Sequence, residues 1–267
     1  MADGVTTRRV VRFRDNIEVL DDELVVEEPM EIRLAGEPLA VVMRTPGDDE
    51  DLALGFVITE GIVTGPNDVR AVENLGDGRW ELVLSDGVSI DPEQFKRNFY
   101  STSSCGVCGK ASIDAIRVAQ TFPPAGPVVT VEAILSLPPA LFAGQPAFHA
   151  TGGLHAAAAF TPEGEIVAVR EDVGRHNATD KVIGSLAVEQ WPLQPMGLLV
   201  SGRVSFEIVQ KAAVAGISVV CGVSAASSLA VELAEEFDMT LVGFLRDEGF
   251  TVYADNGRID GVGGGSG

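Results

Sequence analysis

Apolar and polar residues alternate over much of the first hundred positions, the two-residue period of strands buried on one side. Arg9 to Phe13, Glu18 to Val26, Met30 to Leu34 and Leu39 to Met43 carry this pattern and predict strands. Thr45-Pro46-Gly47 interrupts it. Asp48 predicts a helix start, with acidic residues in the first turn, where the helix dipole favours them. Leu52, Phe56, Val57 and Ile58 supply its apolar face, and Gly61 or Gly65 ends it. Val69 to Leu75 and Trp80 to Leu84, joined through Gly76-Asp77-Gly78, predict a hairpin.

From Phe99 to Lys110 the chain offers Ser, Thr, Gly and Cys with almost nothing to bury, which predicts a loop at a domain junction. A short helix over Ile113 to Gln120 and a stiff connector, Pro123 to Pro127, follow. Leu137-Pro138-Pro139 and Gln145-Pro146 punctuate two further short helices. Beyond Thr151-Gly152-Gly153 the pattern changes. Leu154 to Phe160 and Glu165 to Val169 predict a hairpin, then a helix covers Asn177 to Gln190 with Asn177 as its N-cap. Strands at Leu198 to Val200 and Ile217 to Cys221 alternate with helices at Phe206 to Ala215 and Ala226 to Phe237. Thr240 to Leu245 and Thr251 to Ala254 close the series. Unbroken apolar strands alternating with helices imply an α/β layer with a covered sheet. The expected organisation is an α+β unit over residues 1–98, a loop over 99–110, an α/β unit over 111–256 and a flexible tail over 257–267.

Composition narrows the classes. The chain has 267 residues, 46% hydrophobic and 22% charged, in the range of folded globular proteins. Its longest apolar runs fall short of a membrane span, and no apolar stretch follows Arg8, Arg9, Arg12 and Arg14 as in an export signal. The expected location is the cytoplasm, away from the membrane. Acidic residues number 39 against 19 basic, a net charge of −20, which gives no footprint for nucleic acid. Any anionic ligand must be held by local N–H groups or a few placed arginines against that field.

Three cysteines, Cys105, Cys108 and Cys221, argue against a disulfide framework. Ser104-Cys105-Gly106-Val107-Cys108-Gly109 supports three chemistries: a redox pair, half of a zinc site, or a sulfur carrier. A carrier needs an accessible thiolate on an adaptable backbone, and the flanking glycines allow one. The histidines His149, His155 and His176 all fall in punctuated segments. Around the last, Glu171, Asp172, Arg175, His176 and Asn177 crowd an expected strand-to-helix corner, where α/β folds bind ligands. Ser201-Gly202-Arg203 ends a buried strand and is expected to open the next helix, a place suited to phosphate. Val223 to Ser228 repeats the arrangement without a basic residue, and Phe244 to Gly249 predicts a turn.

Taken together, these blocks resemble the formate dehydrogenase accessory sulfurtransferase family (FdhD). The resemblance runs through Thr45-Pro46-Gly47, Leu54-Gly55-Phe56, Thr59-Glu60-Gly61 and the Cys105 to Gly109 segment. It continues in Thr151 to His155, Glu171 to Ala178, Asp180-Lys181, Ser201-Gly202-Arg203 and Gly243 to Arg246. It implies a persulfide on Cys105, assisted by or alternating with Cys108, charged by a cysteine desulfurase. The sulfur would pass to the molybdenum or tungsten of a bis(molybdopterin guanine dinucleotide) cofactor destined for apo formate dehydrogenase. The implied cofactor site includes Phe244, Leu245, Arg246, Asp247, Glu248 and Gly249. Ser201, Gly202, Arg203 and His176 stand as further binding candidates. The implied fold is a cytidine-deaminase-like, three-layer C-terminal domain beside a smaller α+β domain, in a homodimer. Zinc deaminases need His-x-Glu and Pro-Cys-x-x-Cys. Here Thr151, Ala157 and Ala178 stand two after the histidines and Ser104 precedes Cys105, so no tightly held zinc is expected. The other reading is a non-catalytic chaperone that delivers the cofactor, with structural or redox-sensing cysteines.

Overall fold

The computed structural model describes residues 4–90 and 126–262. β1 (Val5–Phe13) and β2 (Ile17–Val25) pair antiparallel as a ribbon that, among the described residues, joins no other sheet. β3 (Glu28–Leu34), β4 (Glu37–Arg44), β5 (Val69–Gly76) and β6 (Arg79–Leu84) form a sheet in the order β4-β3-β6-β5. The alternation in β3 decides what goes inside. Met30, Ile32 and Leu34 are fully buried, and α1 (Asp49–Thr59) covers them with Leu52, Val57 and Ile58.

The larger sheet has six strands: β8 (His155–Phe160), β9 (Ile166–Asp172), β10 (Gly197–Val200), β11 (Val219–Gly222), β12 (Thr240–Arg246) and β13 (Gly249–Ala254). Their order is β13-β12-β11-β10-β8-β9, with β10, β11 and β12 parallel and the rest antiparallel to their neighbours. Both faces are covered. Ala157, Ala159, Leu198, Val200, Val220 and Leu241 pack with α4 (Arg175–Ala187), α5 (Phe206–Val214) and α6 (Ser228–Glu236). Ala156, Ala158, Phe160, Leu199, Cys221 and Val242 pack with α2 (Val131–Ala143). The result is a helix–sheet–helix sandwich in which each strand presents alternate residues to opposite layers. A short helix, α3 (Pro146–Thr151), precedes β8.

α1 and α4 join the two sheets through a close crossing. A Cβ on Gly55 would lie 1.9 Å from the Asp180 carbonyl oxygen, and one on Gly184 would lie 2.0 Å from that of Asp51. Hydrogen is the only side chain this approach admits. Beside it, buried Lys211 of α5 donates to Asp180 Oδ2 at 2.9 Å, Thr59 Oγ1 at 2.9 Å and Glu60 Oε1 at 3.0 Å. Burial pulls the ammonium's pKa down, but the Asp180 and Glu60 carboxylates outweigh it and hold it above the ordinary lysine value.

Four local expectations are corrected. Pro138 and Pro139 lie inside the 13-residue α2, whose buried stripe of Ala133, Ile134, Leu137 and Leu141 carries it past them. Asn177 is not the N-cap of α4: Gly174 is, and Asn177 donates to Met43 O and Asp172 Oδ1. Ser201-Gly202-Arg203 does not open a helix, because α5 begins at Phe206 after Ser205. Residues 258–260 are not a tail: β14 (Ile259–Asp260) pairs with β7 (Val129–Thr130), and Arg258 donates to Asp238 O at 2.6 Å.

Candidate functional site

A ladder of backbone hydrogen bonds gathers three segments at the ends of the parallel strands. Ser224 N–H donates to Gly202 O at 3.4 Å, and Phe244 N–H donates to Ser224 O at 3.0 Å. Ser201-Gly202-Arg203, Val223-Ser224 and the Phe244 to Gly249 segment therefore meet after β10 and β11 and at the end of β12. The segment expected as one turn is strand up to Arg246, and only Asp247-Glu248 turn into β13. Phe244 has φ 50°, and its side chain is half exposed. The Arg246 guanidinium donates to Val223 O and to Leu245 O, which fixes the turn against β11. Leu245 is fully buried and belongs to the α2-side core, so among the turn residues it packs. Asp247 and Glu248 are exposed between β12 and β13.

The second wall of this region is the β9–α4 corner. Asp172, with none of its side chain exposed, accepts from Gly174 N–H at 2.8 Å and Asn177 Nδ2 at 2.9 Å on one oxygen. Its other oxygen accepts from Thr45 N–H at 3.1 Å and stands 2.9 Å from Lys181 Nζ. This cage fixes the first turn of α4, which begins with Arg175 and His176. His176 Nε2 lies 3.3 Å from Ser205 Oγ and 3.8 Å from Glu207 Oε2. Burial pushes the Glu207 carboxyl up, yet the neighbouring His176 ring, Ser205 and its own N–H outweigh it and hold it at about 2.

His155 completes the wall from the start of β8, where it is register partner to Asp172. A Cβ on Gly202 would lie 3.2 Å from His155 Nδ1 and 3.4 Å from Arg175 Cδ, so both side chains close over this glycine. Burial, then the charges of Arg175 and His176, push the His155 pKa below the ordinary histidine value. Ser201 is spent on the sheet: its N–H donates to Ala156 O and its Oγ accepts from Ala156 N–H.

The structure thus brings Ser201, Gly202, Arg203, His176 and the 244–249 segment into one region, and adds His155 and Arg175 to it. The sequence marks Arg175 at the corner but gives His155 no role. Its place over Gly202 depends on β8 pairing with β10, which periodicity does not predict. His149 is structural: its Nε2 donates to Phe142 O at 2.8 Å and its ring meets the Phe142 edge at 4.2 Å. Cys221 is buried, and burial pushes its thiol up to about 12, so it is not a thiolate at neutral pH. Cys105 and Cys108 lie outside the described residues. Among the described residues, no group of His, Cys, Asp and Glu is arranged to hold a metal ion, and no helix is long and apolar enough to cross a membrane.

Comparison with known proteins agrees with this architecture. The model of the FdhD/NarQ family matches residues 25–260. The sulfur carrier protein FdhD of Streptomyces coelicolor is 50% identical over 266 residues, covering 94% of each chain. That of Sulfolobus acidocaldarius is 43% identical over 241 residues, covering 90% of this chain and 92% of its own. A crystal structure from Desulfotalea psychrophila, described as a candidate formate dehydrogenase accessory protein, superposes with a TM-score of 0.78. It is 23% identical and covers 96% of this chain and 99% of its own, so it speaks for the fold. The chain belongs to the FdhD/NarQ family, the family of the sulfur carrier proteins FdhD.

Proposed function

We propose that this sulfur carrier is a persulfide sulfurtransferase of formate dehydrogenase maturation. The Cys105 thiolate attacks the terminal sulfur of a persulfide on a cysteine desulfurase, whose cysteine leaves as thiolate. The sulfane sulfur changes hands without net oxidation. Cys108 assists or alternates, and the sulfur passes to the molybdenum or tungsten of a bis(molybdopterin guanine dinucleotide), the bound substrate. Apo formate dehydrogenase receives the product. The setting is the cytoplasm, the carrier is a homodimer, and zinc is not part of it.

The observation that carries the cofactor half of this reading is the ladder from Gly202 through Ser224 to Phe244. It supports a ligand crossing the ends of β10, β11 and β12. A chain of net charge −20 needs short, directed contacts for a polyanion. Exposed Arg203 offers a phosphate partner, and half-exposed Phe244 offers a face on which guanine can stack. Arg246 spends part of its five-donor guanidinium on the turn and keeps donors for the ligand. His176, Asp247, Glu248 and Gly249 border the same region. The three-layer core also favours a cytidine-deaminase-like scaffold for the unit over residues 111–256, beside the smaller unit over 1–98.

Calorimetry tests the site. Guanosine diphosphate should bind more tightly than adenosine diphosphate, because a guanine reader leaves polar groups unpaired against adenine. Arg203→Ala and Arg246→Ala should each weaken guanosine diphosphate by about 1–3 kcal/mol, the range of charge-assisted hydrogen bonds. Equal affinity for both nucleotides, or indifference to both substitutions, would move the cofactor elsewhere.

A further inference from the structure

Around Gly202 the chain leaves several donors unused. Neither the His155 ring nor the Arg175 guanidinium makes a hydrogen bond or ion pair with a described residue. Arg175 Nε is shielded from solvent as well, which makes its lack of an acceptor costly. The N–H groups of Gly202 and Arg203 donate to no backbone carbonyl among the described residues. Elsewhere among the described residues the shielded basic groups of this acidic chain are taken up: Arg44, Arg170, Lys181, Lys211 and Arg258 all face carboxylates. Concentrating unpaired donors at one point of such a chain costs stability unless an anion completes the set.

We propose that His155, Arg175 and the N–H groups of Gly202 and Arg203 form a receiving site for a tetrahedral dianion. This adds a second anion-binding position, on the β8–α4 side of Gly202, to the nucleotide site proposed above. It rests on the donors around Gly202 and not on the guanine reading of the turn. The ligand is a phosphoryl group, carried by a nucleotide or free as an oxoanion. Arg175 gives a planar fork suited to two of its oxygens. His155 gives a proton-dependent third contact. It faces Arg175 and His176 from α4 and Asp172 from β9, and Asp172 is already engaged by Lys181. A bound dianion offsets the Arg175 charge and draws a proton onto the ring, so binding takes up a proton.

The probe is inorganic sulfate, a tetrahedral dianion whose own charge is constant between about pH 6 and pH 8. Calorimetry of the full chain should show sulfate binding that Arg175→Gln weakens by roughly tenfold or more, the worth of one charge-assisted hydrogen bond. Gly202→Ala should weaken it too, because the methyl crowds His155 and Arg175 while removing no charge. Arg12→Gln, on the ribbon, removes the same charge and should leave sulfate affinity unchanged. The native protein should bind sulfate more tightly at the lower pH, and His155→Gln should make that dependence shallower. Melting temperatures close to native establish that the variants are folded, and Arg175→Lys provides a charge-preserving variant expected to bind with intermediate affinity. A second titration, with guanosine diphosphate present, identifies the source. Competition assigns the position to the nucleotide's own phosphoryl group, and simultaneous binding assigns it to a free oxoanion; either supports the site. Absence of sulfate binding by the native chain, or equal losses in Arg175→Gln and Arg12→Gln, would overturn it without bearing on guanine selectivity.

Discussion

Lys181 Nζ lies 2.9 Å from Asp172 Oδ2, with 1% and 0% of the two side chains exposed. The ammonium also donates to Thr45 O and Glu171 O, and the carboxylate also holds Thr45, Gly174 and Asn177. The pair therefore ties the end of β4 to the corner that presents Arg175 and His176. Removing one partner leaves the other charge buried. Lys181→Met should cost about 3–5 kcal/mol of unfolding free energy in chemical denaturation. Lys181→Met with Asp172→Asn should cost less than the two single changes added together. A loss below about 1 kcal/mol for Lys181→Met would mean the corner is held by other contacts.

Gly55 and Gly184 make the α1–α4 crossing possible, each against a carbonyl of the other helix. An added methyl at 1.9–2.0 Å from an oxygen cannot be absorbed by a rotamer change, so the helices must separate. Gly55→Ala and Gly184→Ala should each destabilise by about 1–3 kcal/mol or more, read as a lowered melting temperature. Gly36→Ala is a useful contrast: its Cβ meets nothing within 4 Å, but its φ of 83° strains any side chain. Its penalty should stay near about 1 kcal/mol.

Glu207 gives a pH dependence of known sign. Its carboxyl falls from an ordinary 4.5 to about 2 on folding, so the folded state favours the ionised form. That stability is fully present above the ordinary value and is lost as pH falls from there towards about 2. Allowing for solvent screening, Glu207→Gln should lose about 1–2 kcal/mol at neutral pH. The difference from the native chain should shrink steadily in urea denaturation curves taken down through pH 4 and pH 3. A difference independent of pH would mean that Glu207 acts through packing alone.

The alternation of β3 is legible in the sequence because local period and burial agree there; α1, α4 and α5 are legible as helices, but each is buried along consecutive residues rather than on one face. The prolines of α2 are not. A local breaker yields to a buried stripe formed with strands from distant parts of the chain. The same holds for Asn177, whose side chain is claimed by Met43 and Asp172 rather than by its own helix end. In the site, Arg203 and Phe244 stand out as a polar and an aromatic residue near strand ends, and His176 as a polar residue in the first turn of α4. His155 does not. Its role follows from β10 lying between β8 and β11, a strand order that local patterning leaves open.

The central claim is that Cys105 carries sulfur. Mass spectrometry of the intact protein and its peptides, after incubation with a cysteine desulfurase and cysteine, tests it directly. The native chain should gain the mass of one sulfur atom on the peptide containing Cys105. Cys105→Ala should lose that adduct and fail to activate formate dehydrogenase, while Cys221→Ala should keep both, since the buried Cys221 thiol does not supply the thiolate. Full activation of formate dehydrogenase by Cys105→Ala, with no sulfur adduct on the native chain, would contradict covalent transfer and leave a cofactor-delivering chaperone in its place.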